Sequence, residues 1–363
     1  MYESVRTYFC TMYYDILIVG QGISGTFLSF YLQQSGLSIL VIDDARPNAA
    51  SRAASGVINP ITGRRIVKTW MIEELMVFAK KAYREIGEEL SIECFKETKI
   101  IDFFSTPQMR HAFLARYEED QTYIQLPSNE NDQRENFNYD FGYGEIYPGY
   151  LINLQLLLSS FKAKLLAEGR FREEHFTTDK LRVSDKNIQY NDIFAEKIIF
   201  CDGIESFANP FFKTLPFALN KGEALIIETE DFSTDFLYKR GISIVPLQNR
   251  LFWVGSSYEW EFSTDQPNIF FRERTELILL DWLKVPFKII DHVAAVRPAT
   301  LERRPFVGFH PKYKNVGILN GMGTKGCSLA PYFASQLIQN VLHQTPILRE
   351  ADINRFEKIL NRS

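Results

Sequence analysis

Three glycines, Gly20, Gly22 and Gly25, follow the apolar run 15–19, DILIV, in a G-x-G-x-x-G spacing. Such a turn suits a phosphate. Gly20 permits a sharp reversal, Gly22 lets the backbone meet a pyrophosphate, and Gly25 lets the next helix lie close to the strand. The free N–H groups and the dipole of that helix then favour the anion. Roughly twenty residues on, Asp43 closes a second apolar run, 38–44, SILVIDD, with Asp44 beside it. A carboxylate there meets the ribose hydroxyls of a dinucleotide and disfavours a 2′-phosphate. The plainer alternative, a tight turn and a solvated strand end, explains the glycines but not the acid at that distance.

The elements around these residues must form one parallel βαβ unit. Residues 15–19 are a short β-branched run of the kind a strand buried on both faces requires, 26–35 carry a helical stripe of Phe27, Leu28, Tyr31 and Leu32, and Gly36 ends it before the second strand. Further on, 73–90 reads as a long amphipathic helix, 129–138 as a charged surface loop and 150–169 as another helix. LRVSDKNIQY is a hairpin leading into the strand that stops at Asp202 and Gly203. Residues 216–290 alternate strands, GEALIIETE, ISIVPL and RLFWVGSSY, before a helix over 269–283.

At 363 residues and 45% hydrophobic content, with 30 Phe and 17 Tyr, the chain buries a large core and divides into two domains. A net charge of −4 favours neither nucleic acid nor an anionic membrane. The four cysteines, Cys10, Cys94, Cys201 and Cys327, form no CxxC and no metal-ligand spacing, so no metal and a reducing, cytoplasmic setting are expected. The glycines break the first apolar run too early for a signal peptide or a membrane span, and residues 1–12 read as a frayed tail or as a leader to a start at Met12.

ASRAASGVINP at 50–60, CDG at 201–203, VRPAT at 296–300 with PFVG at 305–308, and NGMGTKGCSLAP at 320–331 occur in an order that resembles the D-amino-acid oxidase and glycine oxidase family of flavoproteins. The likeness runs over nearly the whole chain. It looks closest to small bacterial glycine or sarcosine oxidase-like members and to the FAD domain of a bifunctional wobble-uridine tRNA-modifying enzyme. It implies FAD as cofactor and an α/β fold: a discontinuous, doubly wound FAD-binding domain of the Rossmann type at 12–90, 147–215 and 288–363, with a mainly antiparallel α+β substrate domain at 91–146 and 216–287. It also implies that Ser51, Arg52, Ala53, Ser55 and Gly56 lie under the flavin, where small side chains admit a flat ring. Phe176 matches a position whose backbone meets the adenine. The family writes A-T-G where this chain has CDG, which keeps Gly203 and leaves the side-chain contacts of Cys201 and Asp202 without precedent. Gly323, Thr324, Lys325 and Gly326 lead a helix, expected from Ser328 with Pro331 in its first turn, whose N-terminus stabilises charge at flavin N1 and O2, with Lys325 adding a full charge.

On the substrate side the resemblance implies oxidation of an amino acid or secondary amine by hydride transfer to flavin N5, with O2 or another oxidant as electron acceptor. Arg297 matches the family arginine that clamps a substrate carboxylate with its planar fork. Its plainer role is a seam residue paired with Glu302 or Asp291. Tyr238, Trp253, Tyr258 and Trp260 either wall the pocket or are simply core. Arg64, Arg65 and Lys68 are either a solvated face or the mouth of an anion-accepting pocket. An FAD enzyme acting on a tRNA base, or a flavin-binding protein with no small substrate, remain the alternatives. The first requires a basic approach surface and the second a sealed pocket.

Overall fold

The structure, a computed structural model, describes residues 12–63, 65–230 and 232–362. The expected N-terminal tail, Cys10 and Arg64 lie outside the described residues. The first strand, Met12–Val19, runs parallel to Ile39–Asp43 on one side and to Ile193–Phe200 on the other. Phe171–Glu173 extends this sheet beyond Ile39–Asp43, and Val316–Asn320 pairs with the end of Ile193–Phe200. One face packs on the helices Ile23–Gln34, Ile72–Leu90 and Gly326–His343, burying Phe27, Leu75, Tyr83 and Phe333. The other face carries Leu17, Ile42 and Phe200 against Phe212, Phe217 and Ile353. A sheet covered on both faces explains why its strands read as unbroken apolar runs.

A second sheet of nine strands is mainly antiparallel. Its order is Lys288–Arg297, Asn220–Glu228, Leu251–Gly255, Ile242–Pro246, Phe236–Arg240, Phe95–Phe103, Tyr143–Ile152 and Val57–Ile58, with Ile124–Gln125 also pairing to Tyr143–Ile152. The α/β class expected from the sequence is the one observed. The expected boundaries at 147 and 288 do not follow the pairing. Tyr143–Ile152 is one strand bonded to Phe95–Phe103, and Lys288–Arg297 pairs with Asn220–Glu228 rather than joining the first sheet. The strand Tyr143–Ile152 also takes the first residues of the expected helix 150–169, which begins instead at Leu154. Asn153 caps it there by accepting a hydrogen bond from the Leu156 N–H at 3.0 Å.

The C-terminal helix starts at Gly326, two residues before the expected Ser328, so Pro331 sits in its second turn rather than its first. A proline there cannot donate to the carbonyl four residues back, which is that of Cys327. The Tyr83 hydroxyl donates to that carbonyl instead, at 2.8 Å. Both residues are buried, so the bond replaces the missing one where no water is at hand. Burial, with the Cys327 and Cys94 side chains close by, also pushes the Tyr83 phenol well above its ordinary pKa. Tyr83→Phe should therefore lower unfolding free energy by about 1–3 kcal/mol, the cost of an unsatisfied buried acceptor. In a Pro331→Ala background the backbone N–H returns and the same change should cost clearly less. Urea denaturation of the four proteins measures the coupling, and equal costs in both backgrounds would refute it.

Candidate active site

The glycine turn joins the Met12–Val19 strand to the Ile23–Gln34 helix under tight constraint. Gly20 has φ +99°, and a Cβ on it would lie 2.4 Å from the Cys201 carbonyl oxygen. A Cβ on Gly25 would lie 1.9 Å from the Gly20 oxygen. These two positions therefore seat the helix on the turn, and Gly25 does so without reaching the cavity described below. Gly22 differs. A Cβ there would meet only the Ser51 side chain, at 3.0 Å, which leaves its other side open. No side chain caps the helix at Gly22, and the Ile23 N–H donates to Ser51 Oγ at 3.0 Å. Asp43 is held by the Gln21 N–H at 2.7 Å, the Ala45 N–H at 2.7 Å and Arg52 Nη2 at 3.0 Å. It is thus a fixed end to the second strand.

A cavity of about 750 Å³ opens above this turn and runs between the two sheets. Its volume lies in the range of cofactor pockets, roughly 300–1,000 Å³. Gly20, Gly22, Ile23, Asp43 and Asp44 line one end; Ser51, Arg52, Ala53, Ser55 and Gly56 line the middle; Phe176 and Gly203 lie on a side wall; Gly323, Thr324, Lys325, Gly326 and Arg297 complete the lining. The structure thus brings together every expected site residue except Gly25. Trp253 donates its indole N–H to the Ala53 carbonyl at 3.0 Å, tying the second sheet to the small-residue segment. Phe176 stacks on Tyr190 with centroids 4.4 Å apart. Asp202, where the family pattern has Thr, is hydrogen-bonded by Ser206 and by Asn320 Nδ2; burial raises its pKa to about 7, with the Ser206 bond opposing the shift.

Arg297 ends the Lys288–Arg297 strand at the cavity wall. Its Nη1 donates to Asn220 Oδ1 at 2.7 Å and to the Ser257 carbonyl at 3.2 Å, and its guanidinium lies 4.8 Å from the Tyr258 ring centre. Neither Glu302 nor Asp291 pairs with it. Glu302 bonds Arg355 at 3.1 Å, and Asp291 accepts the His292 N–H at 2.7 Å. Among the described residues no carboxylate neutralises Arg297, and burial depresses its pKa. The space for it comes from Gly222, where a Cβ would sit 1.7 Å from Arg297 Nη2. The wall behind it is stiffened by buried Glu223, which meets Lys221 at 3.0 Å and His292 at 2.9 Å and accepts the Asn268 N–H at 2.6 Å. Glu223 also donates its backbone N–H to Ser257 Oγ at 2.9 Å, fixing the segment that carries Tyr258.

The turn, the uncapped helix and the cavity fit an FAD molecule, and the comparisons name the group. A family model described as FAD dependent oxidoreductase matches residues 15–339. The chain belongs to this family. Its fold is similar to that of iminodiacetate oxidase from Chelativorans sp. BNC1, with 17% identity, TM-score 0.73, and coverage of 93% of this chain and 98% of that one. Glycine oxidase from Geobacillus kaustophilus gives 16% identity, TM-score 0.75, and coverage of 95% and 98%. L-proline dehydrogenase from P. horikoshii gives 13%, 0.73, and coverage of 96% and 98%. This FAD-dependent oxidoreductase has, among its described residues, no helix long and apolar enough to cross a membrane.

Asn220 and Gly222, which seat Arg297, went unmarked in the sequence reading, although a glycine inside a strand pattern is a sign of close approach. Tyr238 is buried core, while Tyr258 and Trp253 do line the cavity. Lys68 is spent on Glu73 at 2.8 Å and Asp120 at 2.7 Å. Gly22→Val should abolish FAD binding in a folded protein, because the branched side chain fills the open side of the turn. Asp43→Ala should weaken FAD more mildly, on the order of tenfold, as one contact among many. Flavin fluorescence titration of the apoproteins measures both, and undiminished binding by the valine variant would remove the turn from the phosphate site.

Proposed function

We propose that this flavoenzyme oxidises an amino acid or a secondary amine bearing a carboxylate, and that the residues lining the cavity hold FAD and substrate end to end. The supporting observation is Arg297: a half-buried guanidinium at the wall of the cavity, aimed by Asn220 and Tyr258, and left without a carboxylate partner among the described residues. A partly desolvated cation of this kind gains most from an anion that arrives with the substrate, and a bidentate carboxylate matches its fork. FAD, when bound in this cavity, would supply the two-electron acceptor for oxidation of the carbon next to the substrate nitrogen.

The chain's own contribution is orientation and exclusion of water. Gly22, Ile23 and Ser51 receive the pyrophosphate, Asp43 the ribose, and Ala53, Ser55 and Gly56 admit the flat ring against the backbone. The helix that begins at Gly326 has no side-chain cap at its N-terminus, so its first N–H groups favour negative charge on the adjoining part of the flavin. Arg297 then sets the distance and angle of the reacting carbon, and the second sheet with Trp253 and Tyr258 covers it. Positioning of this sort carries much of the rate in hydride transfer. The names of structurally similar proteins, glycine oxidase, iminodiacetate oxidase and L-proline dehydrogenase, agree with an amine substrate carrying a carboxylate.

Arg297→Lys and Arg297→Ala should both keep FAD and fold. They should raise the substrate concentration for half-maximal anaerobic flavin reduction, alanine more than lysine, by up to about 2–5 kcal/mol in free-energy terms. Gly222→Ala should act in the same direction, since its methyl group displaces the guanidinium. Amines without a carboxylate should respond little to any of the three. Loss of FAD or of the fold in Arg297→Ala would instead mark a structural seam, and equal losses for both kinds of amine would exclude a carboxylate clamp.

A further inference from the structure

Arg297 is not the cavity's only unpaired cation. Lys325 lines the same cavity at the start of the Gly326–His343 helix, and among the described residues no carboxylate lies within ion-pair distance of it. The two are neighbours through their loops: the Gly323 N–H donates to the Pro298 carbonyl at 3.2 Å, and a Cβ on Gly323 would touch that of Ala299 at 3.5 Å. Around Lys325 the field is positive. Arg303 and Arg304 add to burial in depressing its pKa to about 8, and neither arginine has an acidic partner among the described residues. Arg304 is fixed with its guanidinium 4.1 Å from the Trp70 ring centre. A cation held partly out of water in a cavity wall loses hydration without gaining an ion pair unless an anion arrives with a ligand, and Arg297 and Lys325 share that position in one cavity.

The one other anion assigned to this end, the charge of the reduced flavin beside the Gly326 helix, is absent from the oxidised enzyme that meets the substrate. The pyrophosphate belongs at the glycine turn, and a single substrate carboxylate is consumed by Arg297. We infer that the substrate carries a second acidic group, so that the enzyme takes a diacidic amine with one carboxylate on Arg297 and the other on Lys325. This rests on the carboxylate-clamp reading of Arg297 and narrows it. Two carboxylates then meet the two cations that line the cavity, and the field of Arg303 and Arg304 draws the dianion in from solvent.

The test uses the FAD-loaded enzyme and two inert thioethers that lack the oxidisable nitrogen, thiodiacetate and (methylthio)acetate, with binding read from the perturbation of the flavin absorbance. The diacid should bind at least tenfold tighter than the monoacid. Lys325→Met should erase most of that advantage while changing monoacid binding less than threefold, and Lys325→Arg should retain it. Arg297→Lys should weaken both. Equal binding of the two acids by the unmodified enzyme overturns the inference, as does an equal loss of both in Lys325→Met, which would put both cations on one carboxylate. An unchanged diacid preference in Lys325→Met, with a lowered flavin reduction potential, would assign the lysine to the flavin instead. In all three cases monoacid binding that still depends on Arg297 leaves the amino-acid reading standing. If neither acid perturbs the flavin, both readings fall.

Discussion

The architecture turns on how closely three pieces of backbone meet. The Gly20 carbonyl occupies the space a Gly25 side chain would need, and the Cys201 carbonyl occupies the space a Gly20 side chain would need. Any larger residue at either glycine pushes the first helix off the sheet or the strand Ile193–Phe200 off its neighbour. Because the approach is so tight, the helix N-terminus is presented at the strand ends, where the Ser51 hydroxyl takes the Ile23 N–H. A pyrophosphate there would meet backbone amides with that hydroxyl beside them. Gln21, wholly buried, locks the turn by donating to Thr26 Oγ1 at 3.1 Å and to the Leu158 carbonyl at 3.0 Å.

The second sheet depends on the first for its purpose. Its strands Asn220–Glu228 and Lys288–Arg297 end over the cavity, and the Trp253 indole fastens that sheet to Ala53. Glycine recurs at the point where space is needed: Gly222 lies between the two buried charged residues Lys221 and Glu223 and leaves room for Arg297. The Lys221–Glu223 ion pair and the His292 contact beside it are best understood as fixing a wall. Buried pairs gain little net stability over apolar substitutes, yet removing one partner is costly, so they hold the Ser257–Tyr258 segment in one place.

Much of this was legible in the sequence because the cofactor end uses local signals. The glycine spacing, the run DILIV and Asp43 lie within one βαβ unit, and the structure unites them as their types require. The substrate end was legible only through resemblance, since Arg297 comes from a strand whose partner, Asn220–Glu228, is remote in sequence. The pairing of Tyr143–Ile152 and Lys288–Arg297 with the second sheet escaped the reading for the same reason: both have alternation compatible with either sheet, and only long-range pairing decides. Pro331 misled by composition. A proline deep in a helix is unfavourable until a distant hydroxyl, here that of Tyr83, satisfies the carbonyl it orphans.

We propose that the cavity between the two sheets holds one FAD through backbone amides and side-chain contacts, with no covalent link. Cys327, buried in the cavity wall with a thiol pushed up to about 12 by its burial, is a poor nucleophile for such a link. The most direct measurement is acid precipitation of the purified protein with quantitation of flavin in the supernatant and pellet. About one FAD per chain is expected, all of it in the supernatant. Flavin retained on the precipitated protein, or a protein purified and reconstituted with FAD that still holds none, would contradict it.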